Sequence, residues 1–212
     1  MHRLLLLGCL VLQVRATIID RIAIAMGQQV ITEQQIDEEL RVTAFLNQQP
    51  IVRTLGARRA AADRLIRQLL VEREMELSHY PRPEEDDVNS YLQQIRQTFP
   101  GNSSFDRALA AAALTETVLK EHLALQLTAL RFIEYRFRPD VGISDGDIQS
   151  YYQREIAAWK KGHPGAAAPS LASSRESIRK ALLEERTDEM LDSWLEESRK
   201  RLNITYLDQS LQ

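Results

Sequence analysis

Val88, Tyr91, Leu92, Ile95 and Phe99 stand three and four residues apart among polar neighbours, the spacing of a helix with one apolar face. The same period recurs along most of the chain. Ile36, Leu40 and Ala44 predict a first helix over about 33–47. It is entered through Thr32 with Gln35 three residues on, the pattern of a capping box. Ala62, Leu65, Ile66, Leu69, Leu70 and Leu77 predict a second over about 57–79, stopped by Pro81 and Pro83. Glu84 to Asp87 suit the first turn of the third helix, where the helix dipole favours acids, and Pro100-Gly101 breaks it. Ser103 or Ser104 is expected to cap a short fourth helix through Phe105, Leu109 and Ala113. Thr115 opens a fifth, to about Arg138. Its apolar residues, among them Leu119, Leu123, Leu127, Leu130 and Ile133, cover more than one side, which predicts a central position.

Ser144-Asp145-Gly146-Asp147 opens a sixth helix carrying Ile148, Tyr151, Tyr152, Ile156 and Trp159. Lys160 to Ser173, with Gly-His-Pro-Gly and Ala-Ala-Ala-Pro-Ser, reads as a linker. A last helix is predicted from about Ser174 to Leu202. Its ends are apolar (Ile178, Leu182; Leu191, Trp194, Leu195) and its middle, Glu184 to Glu189, is polar, as in a helix that bridges across solvent or between two packed regions. Both flanks of this helical stretch look extended. Thr17 to Ala25 is rich in isoleucine, Met26 to Gln29 resembles a tight turn, and Val30-Ile31 follows, which predicts a hairpin. Ile204 to Leu207 has the composition of a terminal strand.

Composition agrees with a mainly helical chain. Ala, Leu, Arg, Glu and Gln dominate the 212 residues, and aromatics are few. The formal charge of −3 falls to −5 without Arg3 and Arg15, so no bulk field draws the chain to nucleic acid. Those two arginines belong to the first sixteen residues. A short basic start, the apolar run Leu4 to Val14, and Val14-Arg15-Ala16 make the three-part pattern of a secretory signal. Cleavage between Ala16 and Thr17 and a periplasmic location are expected. The run is too short to cross a bilayer, and no stable membrane insertion is expected. Cys9, the single cysteine, leaves with the leader.

The order of parts is specific. A start "IIDRIAIAMGQQVITEQQIDEEL" is followed by "RLIRQLLVEREMEL", "EEDDVNSYLQQIRQTF", "SFDRALAAAAL" and "TETVLKEHLALQLTALRFIEYRF", then "ISDGDIQSYYQ", and finally "ESIRKALLEERTDEMLDSWLEESRKRLNITYLD". This order resembles the core of SurA-type periplasmic chaperones and their relatives among exported parvulin-type prolyl isomerases. The resemblance covers residues 17–207. It implies a mainly α fold, a helical SurA N-terminal and trigger-factor C-terminal-like chaperone domain, with a small β element in which the terminal strand pairs with the N-terminal one. Its parts would be a signal peptide over 1–16, a helical chaperone domain over 17–159, a linker over 160–173, and a long helix and strand over 174–212 completing the same domain. The family places its isomerase domain where this chain has only Lys160 to Ser173, fourteen residues. The resemblance is therefore to the non-catalytic part, and no enzyme activity is expected.

No HExxH, CxxC, GxSxG, P-loop or GxGxxG pattern occurs, and no cofactor or metal is expected. His79, His122 and His163 lie in separate segments. Glu84 to Asp87 and the "SDGDIQ" acids are explained by helix starts. The resemblance implies unfolded polypeptide clients, outer-membrane proteins among them, held without nucleotide. Phe132, Tyr135, Phe137, Tyr151, Tyr152 and Trp159 are the candidate peptide-binding residues, with core packing as the alternative for the large side chains. A structural or assembly module, as a homodimer or as partner of a separate prolyl isomerase, is the alternative function.

Overall fold

The computed structural model describes residues 20–164 and 166–212. The leader, with Ala16 and Thr17, lies outside the described residues. Strands β1 (Ile22–Met26) and β2 (Gln29–Thr32) form the predicted hairpin. Gly27 takes a φ of 61° while Gln28 keeps a negative one, the arrangement of a two-residue turn with glycine first. Thr32 then caps α1 (Glu33–Leu46). Its Oγ1 accepts from Gln35 N at 3.2 Å and the Gln35 Oε1 accepts from Thr32 N at 2.9 Å. The chain ends meet. Strand β3 (Ile204–Tyr206) pairs antiparallel with β1, so the sheet order is β2-β1-β3 and Ala25 lies between Val30 and Thr205.

The core-facing side of this sheet, Ile24, Met26 and Ile31, packs on Ile36 and Leu40 of α1 and on α2 (Leu55–Ser78). Ala61 and Ala62 stand where α2 meets this core, and both are fully buried. Leu195 and Leu211 close the same cluster from the C-terminal end of the chain.

A second core joins α1 to α3 (Glu85–Gln97), α4 (Asn102–Ala111) and the first half of α5 (Glu116–Arg136). The sequence placed the α4 cap at Ser103 or Ser104. The helix instead begins at Asn102, behind Gly101 at a φ of 91°. Glycine adopts that backbone without a Cβ penalty, so the chain turns sharply one residue after Pro100. Ser104 lies inside the first turn and its hydroxyl donates to Gly101 O at 2.7 Å.

A third core holds Val71, Met75, Phe132 and Phe137, with Trp194 of α7 (Leu171–Arg201) packed against them. Leu77, predicted on the buried stripe of α2, is 69% exposed. By its last turns α2 has passed the sheet, and its buried face has rotated toward α5 through Val71 and Met75.

A fourth, small core is built from α6 (Asp145–Gly162), the first part of α7 and Ile143 before them: Ile148, Ile178 and Leu182, with Tyr151, Tyr152 and Leu171. These two helices form an arm. The expected linker over 160–173 is shorter than the sequence suggested. Helix α6 runs to Gly162 and α7 starts at Leu171, capped by Ser170, whose hydroxyl accepts from Ser173 N at 3.2 Å. Lys160 and Lys161 suit the negative end of α6, and the Tyr152 hydroxyl donates to Pro169 O at 2.8 Å, holding the connection against the arm. The polar middle of α7 passes from arm to body, as its pattern predicted.

Candidate functional site

The six aromatic candidates do not share one surface. Phe132 and Phe137 are 1% and 3% exposed. Their rings pack on Trp194 at 6.4 and 5.9 Å. These two are corrected to core residues. Spacing could not distinguish them from surface aromatics, because α2 and α7 cover the end of α5 from two sides. Tyr151 and Tyr152 are half-buried in the arm, with the Arg154 guanidinium 4.8 Å from the centre of the Tyr151 ring. Trp159 stacks on His163 at 4.4 Å. Tyr135 is 68% exposed and touches Tyr80 at 5.4 Å.

Tyr80 leads to a feature that no local pattern announced. Between the second half of α2 and the middle of α5 runs an open cleft of about 610 Å³. Val71, Met75, Ala124, Leu125 and Ala129 give it an apolar floor. Thr128 adds no free donor, since its hydroxyl is used by Ala124 O at 2.5 Å in its own helix. Glu72 and Glu76 line the α2 wall, and Glu121 faces them from α5. Tyr80, Arg82 and Pro83, just after α2, also line it. The backbone shape there follows from the prolines: α2 ends at His79 with a left-handed φ of 53°, and Pro81 and Pro83 keep the chain extended.

A smaller chamber of about 230 Å³ continues the cleft, sharing Gln68, Val71, Leu125 and Ala129. Most of its charged side chains are paired. Arg64 Nε donates to Glu39 Oε1 at 2.5 Å and Nη2 donates to Thr43 Oγ1 at 3.1 Å. Thr43 Oγ1 in turn donates to Glu39 Oε1 at 3.1 Å. A His122 ring nitrogen lies 3.1 Å from Glu38 Oε1. Satisfying Glu39 in this way matters because that residue is buried, and a buried carboxylate without partners is costly.

The acids of the main cleft are different. Burial holds the Glu72 carboxyl above its usual range, while the Gln68 side chain at 3.4 Å and the Arg82 charge act the other way. Among the described residues, no Lys, Arg or His lies within 4 Å of the Glu72, Glu76 or Glu121 carboxylates.

The base of the arm carries a separate polar lock. Asp147 accepts from Ser144 Oγ at 2.6 Å, from Ser144 N at 2.8 Å and from Arg186 Nη2 at 2.5 Å. Arg186 also donates to Gly142 O, so the polar middle of α7 is anchored at the start of α6. These bonds, that of the Ser144 hydroxyl foremost, lower the Asp147 carboxyl to about 2. Its stabilisation is complete above the ordinary aspartate value of about 3.9 and is lost as pH falls toward about 2. Asp147→Asn should therefore melt below the wild type at about pH 5, with the two midpoints converging by about pH 2. A gap in Tm independent of pH would show that the charge of Asp147 does not act here.

Among the described residues, no group of three or more His, Cys, Asp or Glu side chains is placed to hold a metal ion. No described helix is long and apolar enough to cross a membrane. No protein-family model matches the chain, and no curated protein matches it.

Proposed function

We propose that the protein is a non-catalytic periplasmic chaperone that holds extended apolar segments of unfolded exported polypeptides in the α2–α5 cleft. The observation that carries this is the cleft itself: an apolar floor left open between two helices of the body, roomy enough for several side chains. Tyr80 and the exposed Tyr135 extend it with aromatic surface at one end. The pairing of β3 with β1 supports the same reading, because the resemblance of the sequence to SurA-type cores implies a terminal strand that returns to the N-terminal one. Such a holdase needs neither nucleotide nor cofactor; its affinity comes from apolar burial.

The purified protein is expected to slow aggregation of a urea-unfolded outer-membrane protein after dilution. Leu125 lines both chambers and belongs to none of the four cores. Leu125→Gln keeps a side chain of similar bulk and helix propensity but removes apolar floor. It should weaken client binding about tenfold, or about 1.4 kcal/mol, with unchanged circular dichroism. Aggregation that proceeds at the same rate with and without the wild-type protein would overturn the proposal.

A further inference from the structure

We propose that the α2–α5 cleft prefers segments in which an Arg or Lys sits beside apolar side chains, with the cation received by Glu72, Glu76 and Glu121. This rests on the client-binding function above and names its substrate class.

Several carboxylates of the helical body are neutralised internally. Asp37 pairs with Arg58 at 2.7 Å, Asp63 with Arg199 at 2.8 Å, Asp87 with Arg131 at 2.8 Å, Glu116 with Arg96 at 2.8 Å and Glu39 with Arg64 at 2.5 Å. Among the described residues, the three carboxylates of the cleft have no such partner within 4 Å. Glu72 and Glu76 are one helical turn apart on α2, a spacing at which like charges repel. Glu121 adds a third negative charge from the opposite wall, and Arg82, the only Arg or Lys among the described lining residues, supplies one positive charge, which acts on Glu72 without forming an ion pair. Glu72 is also partly withdrawn from water, which raises its carboxyl and penalises its charge. A cation arriving with the client would relieve both the repulsion and the desolvation. The floor beneath is apolar, and a Lys or Arg side chain can lay its methylene stem along it with the charged head at the rim. An acidic segment would meet three carboxylates and is disfavoured.

The test uses three labelled synthetic peptides with the same apolar residues and either Arg, Ser or Glu at two positions, followed by fluorescence anisotropy at low salt. The wild-type protein should bind the Arg peptide at least about tenfold more tightly than the Glu peptide, with the Ser peptide between them. Added salt should narrow the gap. The isosteric triple variant Glu72→Gln, Glu76→Gln, Glu121→Gln should lose the preference, so that the Arg and Glu peptides bind it within about twofold of one another. A control with Glu184→Gln, Glu185→Gln and Glu189→Gln removes the same charge from α7 and should keep the preference. Thermal melts check that each variant folds, and Glu76→Gln alone, at an exposed position, should give part of the loss.

Equal binding of all three peptides by the wild type overturns the preference and leaves the chaperone function standing. A preference that survives the cleft triple variant, or vanishes in the α7 control, overturns the assignment to these residues. Failure to bind any peptide, together with no effect on aggregation, removes both proposals. A cleft filled by a second copy would appear in light scattering as a dimer that dissociates in Leu125→Gln, and that result also overturns the preference.

Discussion

Removal of residues 203–212 is expected to destabilise the protein by about 5 kcal/mol, a loss comparable to the whole stability of many domains. The segment is short, yet three of its apolar side chains enter the first core. Leu211 is 5% exposed, and Ile204 and Tyr206 pack partly against the same cluster. Full burial of a leucine contributes about 2–3 kcal/mol and each partly buried neighbour about 1. Arg59 Nε also loses its acceptor, Ser210 O at 2.8 Å, and β1 loses one of its two partners. With a urea dependence of about 2 kcal/mol per molar for a chain of this size, the unfolding midpoint should fall by about 2–3 M. A midpoint lowered by less than about 0.5 M would mean that β3 contributes little to the fold. The same truncation is expected to abolish protection of aggregating clients, because α2 forms both the floor of the first core and a wall of the cleft.

Phe105→Ala should cost about 3–5 kcal/mol, the usual range for a buried phenylalanine. Its ring is completely buried and lies 5.4 Å from both Phe45 and Phe99, in edge-on geometry with each. The Arg96 guanidinium sits 4.2 Å above it. Arg96 is held by Glu116 at 2.8 Å and Asp106 at 3.5 Å, while its buried Nε has no hydrogen-bond partner among the described residues. Removing the ring therefore opens a cavity where α1, α3 and α4 meet and strips the guanidinium of its aromatic cover. Phe105→Leu keeps most of the apolar volume and should cost only about 1–2 kcal/mol. Equal losses for the two variants would show that the cavity is not the dominant effect.

Local structure was legible because local physics decides it. Thr32 with Gln35, and Ser144 with Asp147, make the capping boxes that their spacing predicted. Gly27 makes the hairpin turn, and the stripe from Val88 to Phe99 forms one helix face of the second core. The pairing of the two ends is not local; the resemblance to SurA-type cores implied it, and β1 and β3 do pair. Even the polar middle of α7 declared its role, since a side that no apolar core covers must find polar partners such as Asp147 and Gly142.

The candidate site was much less legible. Leu77 and Phe132 both follow helical spacing, yet one is exposed and the other is core. Glu72 looks like any surface acid of a helix until α5 comes to lie beside it. The first cleft residue on α2 and the last on α5 are separated by about sixty positions, and the gap between the two helices depends on how the prolines at 81 and 83, the fourth helix and the second core set the path between them. Periodicity reports which side of a helix is apolar; it carries no information on whether a neighbour covers that side closely or leaves it open. The sequence by itself determined most of the elements and the caps at Thr32, Thr115 and Ser144, because each of those depends on residues a few positions apart. Only the tertiary structure decided which aromatics are core, how the two chain ends meet, where the cleft opens and which of its carboxylates have no ion-pair partner, because packing across long sequence separations controls burial and charge pairing.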